Sequence, residues 1–200
     1  MRLRGWALTG WIGVALVAMS ALVLAAAGTG EDGVRMLIRA TARSSAILFL
    51  VSFVARPLRQ LWRSDATAFA LENRRYFGVS MAVSHLIHGL AIIWLIAGFP
   101  GAYESNVVTL AGGGLGFVFI AAMAATSSDA AFKKLGRARW QLLHRTGAWY
   151  VWFIFWFTFP PDPSRGWDAL HALAVAVFTA APLVRAAAFL KTRQRARATA

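Results

Sequence analysis

The chain has 200 residues, of which 58% are hydrophobic and 14% are charged. That composition is too apolar for a water-soluble domain of this length, so it predicts an integral membrane protein. The chain contains no cysteine, which excludes disulfides, iron–sulfur clusters and thiolate chemistry.

Six apolar segments are long enough to cross about 30 Å of hydrocarbon as helices, which takes about 20 residues each. In chain order they cover residues 6–27, 36–55, 76–98, 107–126, 140–159 and 168–190. Arg39 and Arg43 interrupt the second segment, and the fifth has His144 and Arg145 near its start. Short connections, no internal repeat and a brief basic tail at 191–200 indicate a single domain. The sequence therefore predicts an all-α integral membrane protein with a bundle of six transmembrane helices.

The first segment has an alternative interpretation as a cleaved signal peptide. The stretch "LVLAAAGTGED" contains small residues of the kind that precede a cleavage site. Its apolar run is longer than a usual signal core, so we expect a retained helix.

The net charge of +13 arises mainly from basic residues that lie between or beyond the predicted spans. They form four groups: Arg2 and Arg4; Arg56, Arg59, Arg63, Arg74 and Arg75; Lys133, Lys134, Arg137 and Arg139; and Lys191, Arg193, Arg195 and Arg197. If six spans alternate, all four groups share one side, which the positive-inside rule makes cytoplasmic. Both termini are then cytoplasmic, and Glu31, Asp32, the Glu104 loop and the "PPDPSRGW" loop at 160–167 are outside. Because topology explains the charge, we expect membrane lipid and no nucleic acid as a partner.

The acidic and imidazole side chains are distributed in opposite ways. All eight acidic residues map to loops or span ends, which counts against a proton or cation transporter with a carboxylate near mid-membrane. All four histidines lie within predicted spans: His85 and His88 in the third, His144 in the fifth and His171 in the sixth. One buried imidazole alone is best explained as a strut between helices. Four on three helices, without carboxylate partners, favour metal ligation.

Haem iron suits these histidines better than a bare zinc ion does. Zinc sites usually include a carboxylate or a thiolate, whereas haem needs two opposed imidazoles and a large apolar slot. His85 and His88 are three residues apart and project from nearly the same face of a helix. Either of them could therefore reach the same cofactor.

Three motifs in order carry a resemblance to a known family. They are "TARSSAILFLVSFVARPLRQLWR" at 41–63, "RRYFGVSMAVSHLIH" at 74–88 and "WQLLHRTGAWY" at 140–150. Together they resemble the ferric reductase-like transmembrane domain family. Within it they are most similar to the MsrQ group, haem-binding membrane subunits that feed electrons to a periplasmic methionine sulfoxide reductase. The resemblance covers roughly residues 34–160 and rests on the order and spacing of the motifs together.

The resemblance implies b-type haem held by histidines on the third and fifth helices, which are His88 and His144 in this chain. The family commonly has another histidine about 13 residues after the one at His144, nearly four helical turns along. Phe157 stands at that distance here. The outer haem site of the family therefore lacks its fifth-helix ligand in this chain.

Depth along the helices leaves two arrangements open. At about 1.5 Å per residue, His88 lies about 20 Å from Arg74, His85 about 16 Å, and His144 about 8 Å beyond Arg139, so His85 matches His144 better in depth. His171 could replace the missing outer ligand opposite His88. One haem between the third span and His144 needs fewer assumptions than two haems, one on His85 and His144 and the other on His88 and His171.

Three arginines are candidates for neutralising haem propionates by charge-assisted hydrogen bonds: Arg145, Arg75 and Arg43. Positive-inside topology already explains Arg75, and Arg43 could equally extend to the lipid headgroups.

The resemblance implies a b-type haem subunit of the bacterial inner membrane that carries electrons across it. With no flavin or nicotinamide domain of its own, it depends on a cytoplasmic flavoprotein or a quinol as donor, and on an external protein or metal ion as acceptor. A bound quinone or flavin is a further expectation without a motif to support it. The alternative is a haem-free helical scaffold or small-molecule passage protein, which Phe157 keeps open.

Overall fold

The computed structural model describes residues 3–103, 107–159 and 168–198, without the side chains of residues 108 and 109. Arg2, Glu104 and the loop at 160–167, which the sequence assigned to sides of the membrane, lie outside the described residues. Their assignments stay predictions.

Eight helices account for most of the described chain. They are α1 (Trp6–Ala27), α2 (Glu31–Leu61), α3 (Asp65–Glu72), α4 (Arg74–Gly98), α5 (Val107–Ala125), α6 (Asp129–Leu135), α7 (Arg137–Thr158) and α8 (Ala169–Ala198). Each of the six predicted apolar segments forms a helix, and the described ranges contain no strand. The all-α prediction is confirmed.

The described helices support a multi-pass membrane protein, with a span count that depends on two of them. Helices α1, α2, α4 and α8 are each long and apolar enough to cross a membrane. Helix α5 continues after a 104° bend into α6, which gives a fifth span if the bent pair counts as one. Helix α7 has 22 residues, but with Arg137, Arg139 and Arg145 in its first half it is not among the helices apolar enough to cross. Six spans and cytoplasmic termini therefore stay predictions.

The two short helices begin at serine caps that the apolar pattern did not reveal. Before α3, the Ser64 hydroxyl accepts from the Thr67 N–H at 3.3 Å, and the Thr67 hydroxyl accepts from the Ser64 N–H at 3.1 Å. Before α6, the Ser128 hydroxyl accepts from the Ala131 N–H at 3.0 Å. These bonds satisfy N–H groups that a helix start leaves unpaired, so short polar helices form just before α4 and α7.

Helix α2 lies at the centre of the bundle and packs on α1, α4 and α8. The buried cluster around it contains four phenylalanines and five aliphatic residues: Ala46, Phe49, Phe53, Met81, Ile120, Val151, Phe155, Phe178 and Ala181. The ring of Phe49 stacks on that of Phe53 at a centroid distance of 5.1 Å and contacts Phe155 at 5.6 Å. This cluster joins α2 to α7 and α8.

Each of two prolines inside helices frees a backbone carbonyl that accepts a hydrogen bond from a neighbouring helix. A proline has no N–H, so the carbonyl four residues earlier loses its helical partner. Pro57 frees the carbonyl of Phe53, which accepts from Arg185 Nη1 on α8 at 2.8 Å. Pro182 frees the carbonyl of Phe178, which accepts from Trp152 Nε1 on α7 at 2.8 Å. Neighbouring helices thus satisfy backbone groups that a lipid environment could not.

Candidate functional site

A partly open cavity of about 1370 Å³ lies among α2, α4, α5, α7 and α8. Its apolar wall includes Phe49, Met81 and Ile120 from three different helices. Basic side chains and one of the four histidines also line it. The cavity is therefore large, mainly apolar and positively charged along part of its wall.

His144 is the histidine on the cavity wall, and its ring is fixed on both sides. Its Nε2 lies 3.0 Å from the hydroxyl oxygen of Thr126, which itself donates to the carbonyl of Ala122 at 2.7 Å. When the hydroxyl proton lies on the Ala122 carbonyl, the Thr126 oxygen can accept from a protonated Nε2. The ring also stacks on Trp140 at 4.0 Å. In that tautomer Nδ1 of His144 keeps a lone pair for a ligand.

The two histidines of α4 form a cluster of their own, with ring centroids 5.0 Å apart. Phe117 packs against both, at 4.4 Å from His85 and 6.3 Å from His88. Nδ1 of His88 lies 3.1 Å from the carbonyl oxygen of Ile38, which can only accept, so Nδ1 carries the proton and Nε2 is free to bind a metal. Nδ1 of His85 is buried without a hydrogen-bond partner in the described structure.

The structure does not bring the α4 histidines onto His144. Neither His85 nor His88 lines the cavity. The ring of His85 instead contacts Phe155 at 6.0 Å, and Phe155 lies about 16 Å beyond His144 along α7. Met81 does line the cavity, and His85 follows it by about one turn on the same face. His85 is therefore nearer to the cavity than His88 is.

His171 lies in the first turn of α8 and does not line the cavity. Its backbone N–H donates to Asp168 Oδ1 at 2.8 Å, and its Nδ1 lies 2.7 Å from the same oxygen. Both contacts lower the pKa of Asp168, and the hydrogen bond from the backbone N–H has the larger effect. Asp168 is therefore an N-cap. No contact among the described residues joins His171 to His88, so their pairing stays a prediction.

The three arginines expected at a haem occupy different settings. Arg75 lines the cavity and pairs with Asp129 through an Nη1–Oδ1 distance of 2.7 Å. Arg145 lines the cavity and is exposed. Arg43 is exposed on α2 and does not line the cavity. Two of the three expected arginines therefore reach the same cavity as His144.

The sequence interpretation missed three further arginines on the wall: Arg56, Arg74 and Arg185. Arg56 and Arg74 were explained by topology alone. Arg185 was not considered, although it lies inside the predicted span at 168–190, and an arginine within an apolar span is itself a signal of function.

The residues on the cavity wall fit a haem held by one histidine. They combine an imidazole with a free lone pair, a large apolar space and arginines that can pair with propionates. A second imidazole is not on the wall. No group of three or more His, Cys, Asp or Glu side chains that could hold a bare metal ion occurs in the described ranges.

No family model matches the chain, and no solved structure does. Curated relatives do match. The protein-methionine-sulfoxide reductase heme-binding subunit MsrQ of Polaromonas naphthalenivorans is 31% identical over 120 residues, which is 58% of this chain and 53% of the relative. The proteins of the same name from Bordetella parapertussis and Bordetella bronchiseptica are each 32% identical over 124 residues, 59% of this chain and 57% of the relative.

The chain thus spans just over half the length of the curated relatives that it matches. Those relatives carry the name of the group to which the three motifs pointed. The resemblance of this chain to the MsrQ haem-binding subunits is confirmed.

Proposed function

We propose that this chain is a b-type haem subunit that carries electrons across the bacterial inner membrane, from a cytoplasmic flavoprotein or quinol to an external acceptor. The observation that carries the proposal is the position of His144, which meets several arginines on the wall of one large apolar cavity. The similarity to subunits named for haem binding supports the same cofactor.

Each part of the wall has a separate task in this proposal. His144 offers a nitrogen ligand and is oriented by Thr126 and Trp140. Phe49, Met81 and Ile120 keep water from the apolar face of the bound group. A haem in such a low-dielectric setting supplies one-electron redox chemistry.

In this proposal α4 would supply the second imidazole that holds the group, as the resemblance implies. His85 is the nearer of its two histidines to the cavity, and its buried Nδ1 lacks a partner in the described structure. His88 already has the orientation typical of a metal ligand, with Nδ1 held by the Ile38 carbonyl. One haem per chain remains the arrangement that needs the fewest assumptions.

Electron transfer across a sealed bilayer tests the proposal. Haem-loaded protein is reconstituted into vesicles that contain ferricyanide, and reduced flavin or a quinol is added outside. We expect the trapped ferricyanide to be reduced faster than in protein-free vesicles, and the His144→Ala variant to lose the gain. Equal rates in all three preparations, with haem bound to the unchanged protein, would refute electron carriage.

A further inference from the structure

The cavity wall has more positive charge than its own acidic residues can neutralise. Five arginines line it: Arg56, Arg74, Arg75, Arg145 and Arg185. Its two acidic residues are already paired. Glu72 pairs with Arg4 at 3.0 Å, and Asp129 pairs with Arg75 at 2.7 Å. Among the described residues, the other four arginines of the wall have no carboxylate partner.

Arg185 is held in place by the backbone of another helix. Its Nη1 donates to the Phe53 carbonyl that Pro57 frees, at 2.8 Å. Its guanidinium carbon also lies 4.3 Å from the ring centroid of Phe53 and 5.3 Å from that of Trp149. These contacts fix the charge at the cavity wall. A guanidinium has five N–H donors, so several remain for a ligand.

Two other arginines of the wall lie near Arg185. Arg74 is tied to α2 through its Nε, which donates to the Ser52 carbonyl at 2.9 Å. Both Arg56 and Arg74 are close enough to Arg185 for their charges to interact repulsively with it. We call Arg56, Arg74 and Arg185 the arginine cluster. Arg56 and Arg74 are exposed, and Arg185 is half-buried. Like charges gathered at one cavity wall repel each other, and a bound anion relieves that repulsion.

We propose that the arginine cluster binds the carboxylates of the group in the cavity, with Arg185 as the fixed residue that orients it. This inference rests on the proposed function, under which those carboxylates are the two haem propionates. It replaces the sequence expectation for Arg43, which does not line the cavity, and for Arg75, which Asp129 already neutralises.

A comparison of haem with its dimethyl ester measures what the propionate charges alone contribute to binding. Apoprotein in detergent is titrated with haem b and with its dimethyl ester, which has the same iron and ring but no carboxylate, and binding is followed by the absorption spectrum. We expect the unchanged protein to prefer the acid over the ester by about tenfold or more, as for lost charge-assisted hydrogen bonds.

Arg185→Gln is the decisive variant, because it removes the charge and keeps a polar side chain with N–H donors. We expect it to reduce the preference for the acid to about threefold or less, and Arg185→Lys to retain most of it, because each hydrogen bond to a charged group contributes about tenfold or more. Arg43→Gln is the matched control, since Arg43 is an exposed arginine of α2 whose side chain does not line the cavity. It is expected to leave the preference unchanged. If the glutamine variant does not fold, the comparison of acid and ester in the unchanged protein still tests the inference.

The outcomes separate this inference from the proposed function. If the unchanged protein binds acid and ester equally well, the function stands and the inference is wrong. If Arg185→Gln keeps the full preference but loses phospholipid phosphate that co-purifies with the unchanged protein, the cluster binds a lipid headgroup and the inference is again wrong. If neither form of haem binds, the proposed function itself fails.

Discussion

At the scale of single residues, the histidines differ in which neighbour orients them. Nε2 of His144 lies 3.0 Å from the Thr126 hydroxyl on the cavity wall, whereas His171 lies beside Asp168 at the start of α8. Only the first of these positions can serve a group in the cavity. The same residue type in an apolar helix is therefore in two different settings here, although the sequence analysis made both histidines candidate haem ligands.

Replacing histidines one at a time tests this distinction. We expect His144→Ala to remove or strongly shift the haem absorption bands, because it deletes the imidazole on the wall. His171→Ala is the control and is expected to leave the spectrum unchanged. On α4, His85→Ala is expected to alter the spectrum more than His88→Ala. Retention of the full spectrum by His144→Ala would show that haem binds elsewhere.

A glycine pair at the start of α2 gives a prediction about packing. A Cβ added at Gly33 would overlap the carbonyl oxygen of Gly28, whereas one at Gly30 would meet nothing within 4 Å. We expect Gly33→Ala to lower the free energy of unfolding by about 1–3 kcal/mol and Gly30→Ala to change it by less than about 0.5 kcal/mol. Thermal unfolding in detergent measures both, and equal effects would contradict the close approach of the α1–α2 connection to Gly33.

At the scale of helices, proline positions explain how α7 and α8 are held together. Trp152 Nε1 donates to the Phe178 carbonyl that Pro182 frees. We expect Trp152→Phe to cost about 1–3 kcal/mol, since it leaves that buried carbonyl unpaired. In a Pro182→Ala background the helix can supply its own N–H to the carbonyl, so the same change is expected to cost less than about 0.5 kcal/mol.

A double-mutant cycle by thermal unfolding measures this coupling. Trp156→Phe is the matched control, because the indole N–H of Trp156 binds the Thr179 hydroxyl at an exposed position and should be insensitive to Pro182. The same cost for Trp152→Phe in both backgrounds would show that the carbonyl does not depend on Trp152.

Helix positions followed from the sequence because apolar length is a local property. The segment at 6–27 matches α1, and the segment at 76–98 differs from α4 only at its start. Helix α2 was predicted too short, since it begins at Glu31 and continues through Pro57. Acidic residues favour a helix start, and Arg185 satisfies the carbonyl that Pro57 frees. That bond joins positions 132 residues apart, so no local pattern could reveal it or the arginine cluster.

At the scale of the whole molecule, the side on which each end of the chain lies depends on α7. Six spans place both termini in the cytoplasm, whereas a polar α7 that does not cross would place the end of α8 on the other side. The sequence predicted helix α7 itself. Its composition does not determine whether it crosses the membrane, because its arginines disfavour crossing and its long aromatic run favours it.

Accessibility to a membrane-impermeant maleimide determines the topology, and the cysteine-free chain makes single cysteines unambiguous. We expect Arg63→Cys and Arg197→Cys to label from the cytoplasmic side, and Thr29→Cys, in the exposed α1–α2 connection, to label from outside. Labelling of Arg197→Cys from outside would refute the six-span topology.

The haem content of the purified protein shows whether the cavity beside His144 holds haem. The protein is expressed with ample haem, purified in detergent, and measured as oxidised and dithionite-reduced spectra with haem quantified per chain. We expect the reduced bands of a b-type haem at about one haem per chain. A correctly folded but colourless protein would contradict it and favour the haem-free scaffold.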